Sequence, residues 1–270
     1  MLFELDAQAL LWRIAGTLVA NLLLALFAFF RKSVDRSGAV MGFILGSLIF
    51  LGGGLPAWVV LTAFFLSSSA LSKAGRKKKA RLESLHEKGH TRDAAQAFAN
   101  AGIGSLAMGI YAFFPWAPLL HIFTGSMAVA TADTWSSELG VLSPGAPRSV
   151  LSFKRVEPGT SGGVTVLGTA ASLAGALLIF ASSLVFYRSQ GIVGASLEIA
   201  VAICLAALAG SFIDSVLGAE AQALYRDDEG NLTEKPNGNL VRGISWLNND
   251  VVNLISNFLG SIICVLIISI

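Results

Sequence analysis

Residues 118–140, PLLHIFTGSMAVATADTWSSELG, carry no Asp, Glu, Lys or Arg until Asp133, with Glu138 five positions later. An apolar run ending this way is a candidate membrane helix meeting water. Carboxylates at that depth are costly to desolvate and mark functional candidates. The competing explanation is a helix that stops at a polar boundary, with Asp133 and Thr134 capping the next segment.

The same character runs through the whole chain. Of its 270 residues 54% are hydrophobic and 13% charged, against roughly 25% charged in a soluble domain, and the mean hydropathy is +0.69. This composition excludes a soluble globular domain and implies an all-α, polytopic transmembrane helical bundle. The net charge of +2 gives no general attraction to nucleic acid. Cys204 and Cys264 both sit in apolar runs, which argues against a disulfide framework or a zinc site. Glu4 and Asp6 stand where a cleavable signal would carry basic residues, so the first apolar run is expected to stay as a membrane helix.

Apolar runs fall at 9–30, 38–52, 55–71, 94–114, 116–131, 164–187, 194–213 and 251–270. Each is near or somewhat below the ~20 residues that cross a bilayer, which predicts about eight spans. Only Gly52, Gly53, Gly54 and Leu55 separate the second run from the third, and Phe114, Pro115 and Trp116 separate the fourth from the fifth. Both pairs are expected to form tight helical hairpins.

Basic residues orient the spans. Arg31, Lys32 and Arg36 follow the first run; Lys73, Arg76, Lys77, Lys78, Lys79, Arg81, Lys88 and Arg92 follow the third. Arg148, Lys154 and Arg155 follow the fifth, and Arg226, Lys235 and Arg242 follow the seventh. The positive-inside rule makes all four loops cytoplasmic and leaves both termini outside. The expectation is a single integral-membrane domain over residues 1–270 in the cell membrane, with loops 72–92, 132–163 and 225–249 carrying a cytoplasmic site. The basic run beginning at Lys73 is read as a topology anchor that meets anionic headgroups. Gly38, Gly42 and Gly46 share one helix face, a pattern read as close packing.

The unusual polar residues then fall on that same side. Arg92, Gln96 and Asn100 are spaced by four and share a helix face, with Asp93 beside them. After Asp133, Ser137 and Glu138 come Lys154 and Arg155, then the turn Gly159, Thr160, Ser161, Gly162 and Gly163 ahead of the sixth run. A glycine-rich turn before a helix can cradle phosphate through backbone N–H groups, although the lysine precedes the glycines, unlike a Walker A motif. Asp214, Gly218 and Gln222 share a face at the end of the seventh run, and Asn249, Asp250, Asn253 and Asn257 open the last. Asn257 also fits a simple role in joining helices.

Asp133, Asp214 and Asp250 thus come from separate spans to one layer. Oxygen donors without a His or Cys cluster suit Mg²⁺, with Glu138 a further candidate ligand. Phosphoryl transfer needs chiefly positioning and charge neutralisation, which this set can supply. His86, His90 and His121 are scattered and receive no metal role.

Five motifs recur together: Thr91-Arg92-Asp93-Ala94-Ala95-Gln96 with Asn100; Asp133-Thr134-Trp135-Ser136-Ser137-Glu138; Gly159-Thr160-Ser161-Gly162-Gly163; Asp214-Ser215-Val216-Leu217-Gly218; and Trp246-Leu247-Asn248-Asn249-Asp250. In this order the chain resembles the integral-membrane phytyl-phosphate kinase family of prenyl-lipid salvage and its bacterial and archaeal relatives, formerly of unknown function. One departure is Ala101 after Asn100, with Gly102 one step later. The resemblance implies transfer of a nucleoside triphosphate γ-phosphate, with CTP the expected donor, to an isoprenoid monophosphate such as phytyl, geranylgeranyl or farnesyl phosphate. Asp133, Asp214 and Asp250 are then expected to hold metal. The turn at 159–163 with Lys154 and Arg155 would bind nucleotide phosphates. Arg92 and Asn249 would meet the acceptor, with Asp93, Gln96, Asn100, Ser137, Gln222 and Asn253 lining a polar cavity. The expected partners are nucleotide, isoprenoid phosphate and membrane lipid, with no nucleic acid, and a homodimer is compatible. The rival readings are a membrane lipid cytidylyltransferase, a polyprenol kinase and, from another class, an ion-coupled lipid transporter.

Overall fold

The structure, a computed structural model, describes residues 6–74, 91–192 and 196–269. Most of the basic run after Lys73, together with His86 and His90, lies outside the described residues. Seven helices occur among the described residues: α1 (Ala7–Phe30), α2 (Arg36–Lys73), α3 (Ala94–Phe113), α4 (Ala117–Gly140), α5 (Val166–Ser189), α6 (Ser196–Glu220) and α7 (Asn249–Ile268). Of these, α1, α2, α5, most of α6 and α7 are long and apolar enough to cross a membrane. The protein is therefore mostly helical and built for a bilayer. Outward-facing Leu11, Trp12, Leu23 and Phe30 leave most of α1 bare of protein, as a lipid-facing helix requires.

Helix α4 is the axis of the bundle. Apart from Ile122, every residue from 119 to 132 is buried. Gly, Ala, Ser and Thr let neighbours approach it from all sides, and α5, α6, α7, α3 and α2 all pack on it. Two of its hydroxyls return to the helix backbone: Thr131 Oγ1 donates to Met127 O at 2.6 Å, and Thr124 Oγ1 to Leu120 O at 3.1 Å while also meeting Tyr187 OH of α5 at 2.6 Å. The helix does not stop at the polar boundary; it continues two turns beyond Ala132 and carries Asp133 and Glu138 on them.

Helix α2 turns back on itself. Gly54, at φ 65° and ψ −158°, breaks the helical geometry just before Pro56, a conformation only glycine adopts cheaply. Lys73 Nζ donates to Arg31 O at 2.9 Å and to Ser33 Oγ at 3.0 Å. A straight helix of this length would separate the two ends by roughly 55 Å. Two antiparallel rods, 36–53 and 55–73, result, as the run of three glycines predicts. Arg13 of α1, a residue the sequence reading did not single out, donates to Leu51 O at 3.3 Å and covers the bared carbonyls. A Cβ on Gly52 would lie 2.1 Å from Met108 O. Gly52→Ala is expected to lower stability by about 1–3 kcal/mol through this backbone clash, seen as a lower melting temperature of the detergent-purified protein.

The loops at the α4 C-terminal end hold short strands that the all-α reading did not contain. β1 (Arg148–Ser149) pairs antiparallel with β2 (Gly163–Val164). β3 (Leu224–Arg226) lies between β4 (Leu232–Thr233) and β5 (Asn239–Arg242). Strands of two to four residues show no readable alternation. The β3–β4 turn is set by Asp227, whose Oδ1 accepts from Asn231 N at 2.8 Å.

Candidate functional site

Beneath these strands lies a cavity of about 360 Å³ at the end of the bundle. Its walls come from the second rod of α2, α3, the last turns of α4 and α6, the first turn of α7 and the loop before α5.

Arg92 precedes α3, and its backbone is clamped before its side chain is considered. Its N–H donates to Ser33 O at 3.2 Å, and its carbonyl accepts from Asp35 N at 3.0 Å. Gly38 permits this because a Cβ there would meet Arg92 O at 2.3 Å. The guanidinium donates to Ser69 Oγ at 3.4 Å and stands 6.0 Å from the Phe64 ring centre. Burial lowers its pKa from the ordinary value, and the field of Glu138 opposes that shift. An arginine remains a cation throughout. Glu138 in turn accepts a short hydrogen bond from Ser72 Oγ.

Asp93 does not line the cavity. It caps α3, accepting from Gln96 N at 2.9 Å while Gln96 Oε1 accepts from Asp93 N at 3.1 Å, a reciprocal capping box. Gln96 and Asn100 do line it, one turn apart, and Asn100 Nδ2 donates to Gln96 O at 2.9 Å.

Asp133 and Asp214 face one another from α4 and α6. Ser256 Oγ donates to Asp214 at 3.0 Å, and Ser211 hydrogen-bonds Asp133. The two like charges act on each other, and Glu234 adds to the field at Asp214. Asp250 is buried in the first turn of α7, where the helix dipole favours an anion. Asn249 and Asn253 join that wall. Asn257 does not: its Nδ2 donates to Asn100 O at 3.0 Å and ties α7 to α3. Among the described residues no three of His, Cys, Asp and Glu gather closely enough to form a ready metal cluster. The four-carboxylate ligand set therefore resolves into a facing pair, Asp133 and Asp214, with Asp250 and Glu138 elsewhere on the walls.

The turn at Gly159, Thr160, Ser161, Gly162 and Gly163 forms the opposite wall. Gly162, at φ 81°, lies against α6, where a Cβ would come within 2.4 Å of Ala219 Cβ. Gly163 N donates to Thr160 O at 2.9 Å, so part of the turn's N–H set serves the turn itself. Lys154 and Arg155 are exposed and are not brought to the cavity. Arg148 pairs with both Val164 and Arg155, which turns residues 151–155 outward as the tip of a hairpin.

Several wall residues escaped the sequence reading, Glu234 and Ser72 among them. Glu234 accepts from Ser161 Oγ at 2.5 Å and from Gln222 Nε2 at 2.8 Å, so it ties the glycine turn to the end of α6. It follows β4 in a polar loop whose composition marks no single acid. Ser72 ends a serine-rich turn of α2, and only its bond to Glu138 distinguishes it.

The family described as integral membrane protein DUF92 matches residues 19–261. Protein PGR of Arabidopsis thaliana is 34% identical over 276 residues, covering 93% of this chain and 94% of that protein. The uncharacterized membrane protein MJ0933 of Methanocaldococcus jannaschii is 32% identical over 98% of both chains. Protein VTE6, chloroplastic, of Arabidopsis thaliana is 29% identical over 86% of this chain and 65% of its own length. No solved structure matches significantly.

Proposed function

Because this chain belongs to the DUF92 integral membrane protein family, the one to which its five motifs point, we propose that it is a Mg²⁺-dependent prenyl-phosphate kinase. The observation that carries this reading is one polar cavity in which a carboxylate pair, a clamped arginine and a glycine turn face each other. The γ-phosphoryl group of a nucleoside triphosphate, CTP for preference, passes to an isoprenoid monophosphate. The bond from γ-phosphorus to the β,γ-bridging oxygen breaks, a bond to an acceptor phosphate oxygen forms, and the nucleoside diphosphate leaves.

Asp133 and Asp214 fit a hard divalent cation: two neighbouring carboxylates with no cationic side chain among the described residues bonded to either. Mg²⁺ commonly binds one or two carboxylates and takes its other ligands from phosphates. When bound, the ion neutralises charge on the phosphates. Arg92 orients the acceptor phosphate, and its fixed backbone holds that charge in place. The turn at 159–163 positions the donor phosphates, with Glu234 holding Ser161 and Gln222 at its edge. An acceptor phosphate oxygen is already anionic, so no side chain has to act as general base.

In this reading the chain makes about eight spans, counting the two rods of α2 separately. Both termini are outside, and the cavity opens on the cytoplasmic face of the cell membrane. The test is to incubate purified protein with farnesyl, geranylgeranyl or phytyl monophosphate and each nucleoside triphosphate. The expected products are lipid diphosphate and nucleoside diphosphate. Pyrophosphate with a nucleotidyl lipid would establish the cytidylyltransferase rival instead.

A further inference from the structure

Beside the polar cavity lies a second, apolar space of about 70 Å³ between α1, both rods of α2 and α3. The two spaces share Arg92, Gln96 and Asn100, so they meet along these three residues. The glycines of the first rod of α2 explain how the space arises. A Cβ on Gly38 would strike Arg92 O at 2.3 Å, and one on Gly46 would strike Asn21 Oδ1 at 2.1 Å. Both are close contacts. A Cβ on Gly42, between them, would have nothing within 4 Å. Gly42 lines the apolar space and is itself exposed. Close approach above and below, with an open position between, leaves a slot whose mouth faces the lipid side of the bundle.

We infer that this slot seats the first isoprene unit of the acceptor lipid, with its phosphate on Arg92 in the polar cavity and the rest of the chain passing along the exposed side of α1 into the bilayer. The inference rests on the kinase reading above and deepens it by naming the acceptor's subsite. The occupant follows from the chemistry of the slot. A cation at one end of an apolar slot matches a lipid whose charge is confined to one terminus. The mouth of the slot lies open at Gly42, and its volume of about 70 Å³ leaves room for a segment of one chain, not for the paired acyl chains of a glycerophospholipid side by side. Bilayer and slot are equally apolar, so transfer between them yields little hydrophobic free energy. The slot therefore acts by fixing where the phosphate lies.

The test is photolabelling together with kinetics. Wild-type protein in nanodiscs is irradiated with farnesyl monophosphate bearing a diazirine on its first isoprene unit, and the modified peptides are mapped by mass spectrometry. Label is expected on α1, α2 and α3 around Gly42, displaced by unlabelled farnesyl monophosphate and not by phosphatidic acid. Gly42→Leu, which favours the helix, and Ala97→Leu on the facing wall are expected to abolish the label. Each should lower kcat/KM for farnesyl monophosphate roughly tenfold or more through a misplaced phosphate, with KM for the nucleotide unchanged. Label elsewhere, competition by phosphatidic acid, or unaltered acceptor kinetics in both variants overturns the slot. Slot labelling in a protein that transfers no phosphate would uphold the slot and reject the kinase reading. The wild-type labelling pattern depends on no variant's folding.

Discussion

Asp133→Asn and Asp214→Asn are each expected to cut phosphoryl transfer by about 10³-fold or more, the scale on which removal of a preorganised charge from a transfer site is felt. The amide has the shape of the carboxylate and can still accept from Ser211 or Ser256, so the helices have no reason to separate. What is lost is an anionic oxygen for the cation. A second readout separates this from misfolding. Both carboxylates are buried where a charge is costly, and each stands in the other's field; a neutral amide removes that cost, so each variant should melt at or above the wild-type temperature. Residues that hold one ion act as a unit, so the double variant should be little worse than either single one. Transfer near the wild-type rate in a folded single variant would sink the metal assignment.

Arg92→Lys is expected to lower kcat/KM for the lipid monophosphate by about 10²-fold and to leave the KM of the nucleotide nearly unchanged. The exchange keeps the charge but loses the planar fork that grips a phosphate by two bonds. Lysine also cannot reproduce the guanidinium's placement between Ser69 and the Phe64 ring. The backbone clamp by Ser33 and Asp35 does not depend on the side chain, so α3 should stay in place. Initial-rate kinetics with each substrate varied in turn measure the split. An equal loss toward both substrates would remove Arg92 from the acceptor side.

Much of the candidate site was legible because its residue types are improbable where they stand. Asp133, Asp214 and Asp250 interrupt or flank apolar runs, and each proves to line the cavity. Gln96, Asn100, Asn249 and Asn253 followed from helical spacing and also line it. Lys154 and Arg155 were drawn toward the site by their closeness in sequence to the glycine turn. The structure leaves them outside the cavity because the bridge between Arg148 and Arg155 folds residues 151–155 into an exposed tip. Asp93 was included because it neighbours Arg92, yet its carboxylate is spent on the N-terminus of α3. Glu234 was missed for the opposite reason: it lies in a loop rich in acids, and only the fold of that loop over α6 brings it to Ser161 and Gln222.

The glycine stripe of α2 shows the same division in one element. Its spacing established a face without side chains, and close packing was the natural inference. Gly38 and Gly46 obey it; Gly42 does not, because nothing among the described residues comes within 4 Å of where its Cβ would lie.

The sequence by itself determined the membrane class, the helical runs, the reversal at the three glycines and the gathering of polar residues at one end. Each of these depends on solvation or backbone freedom, which are properties of a short stretch of chain. Only the tertiary structure decided which carboxylates face each other, what clamps Arg92, which basic residues stay outside and where the bundle leaves a void. Those outcomes depend on distances between residues far apart in the chain, such as the 42 positions from Asp214 to Ser256. Such distances are set by how whole helices pack, and no local pattern encodes them.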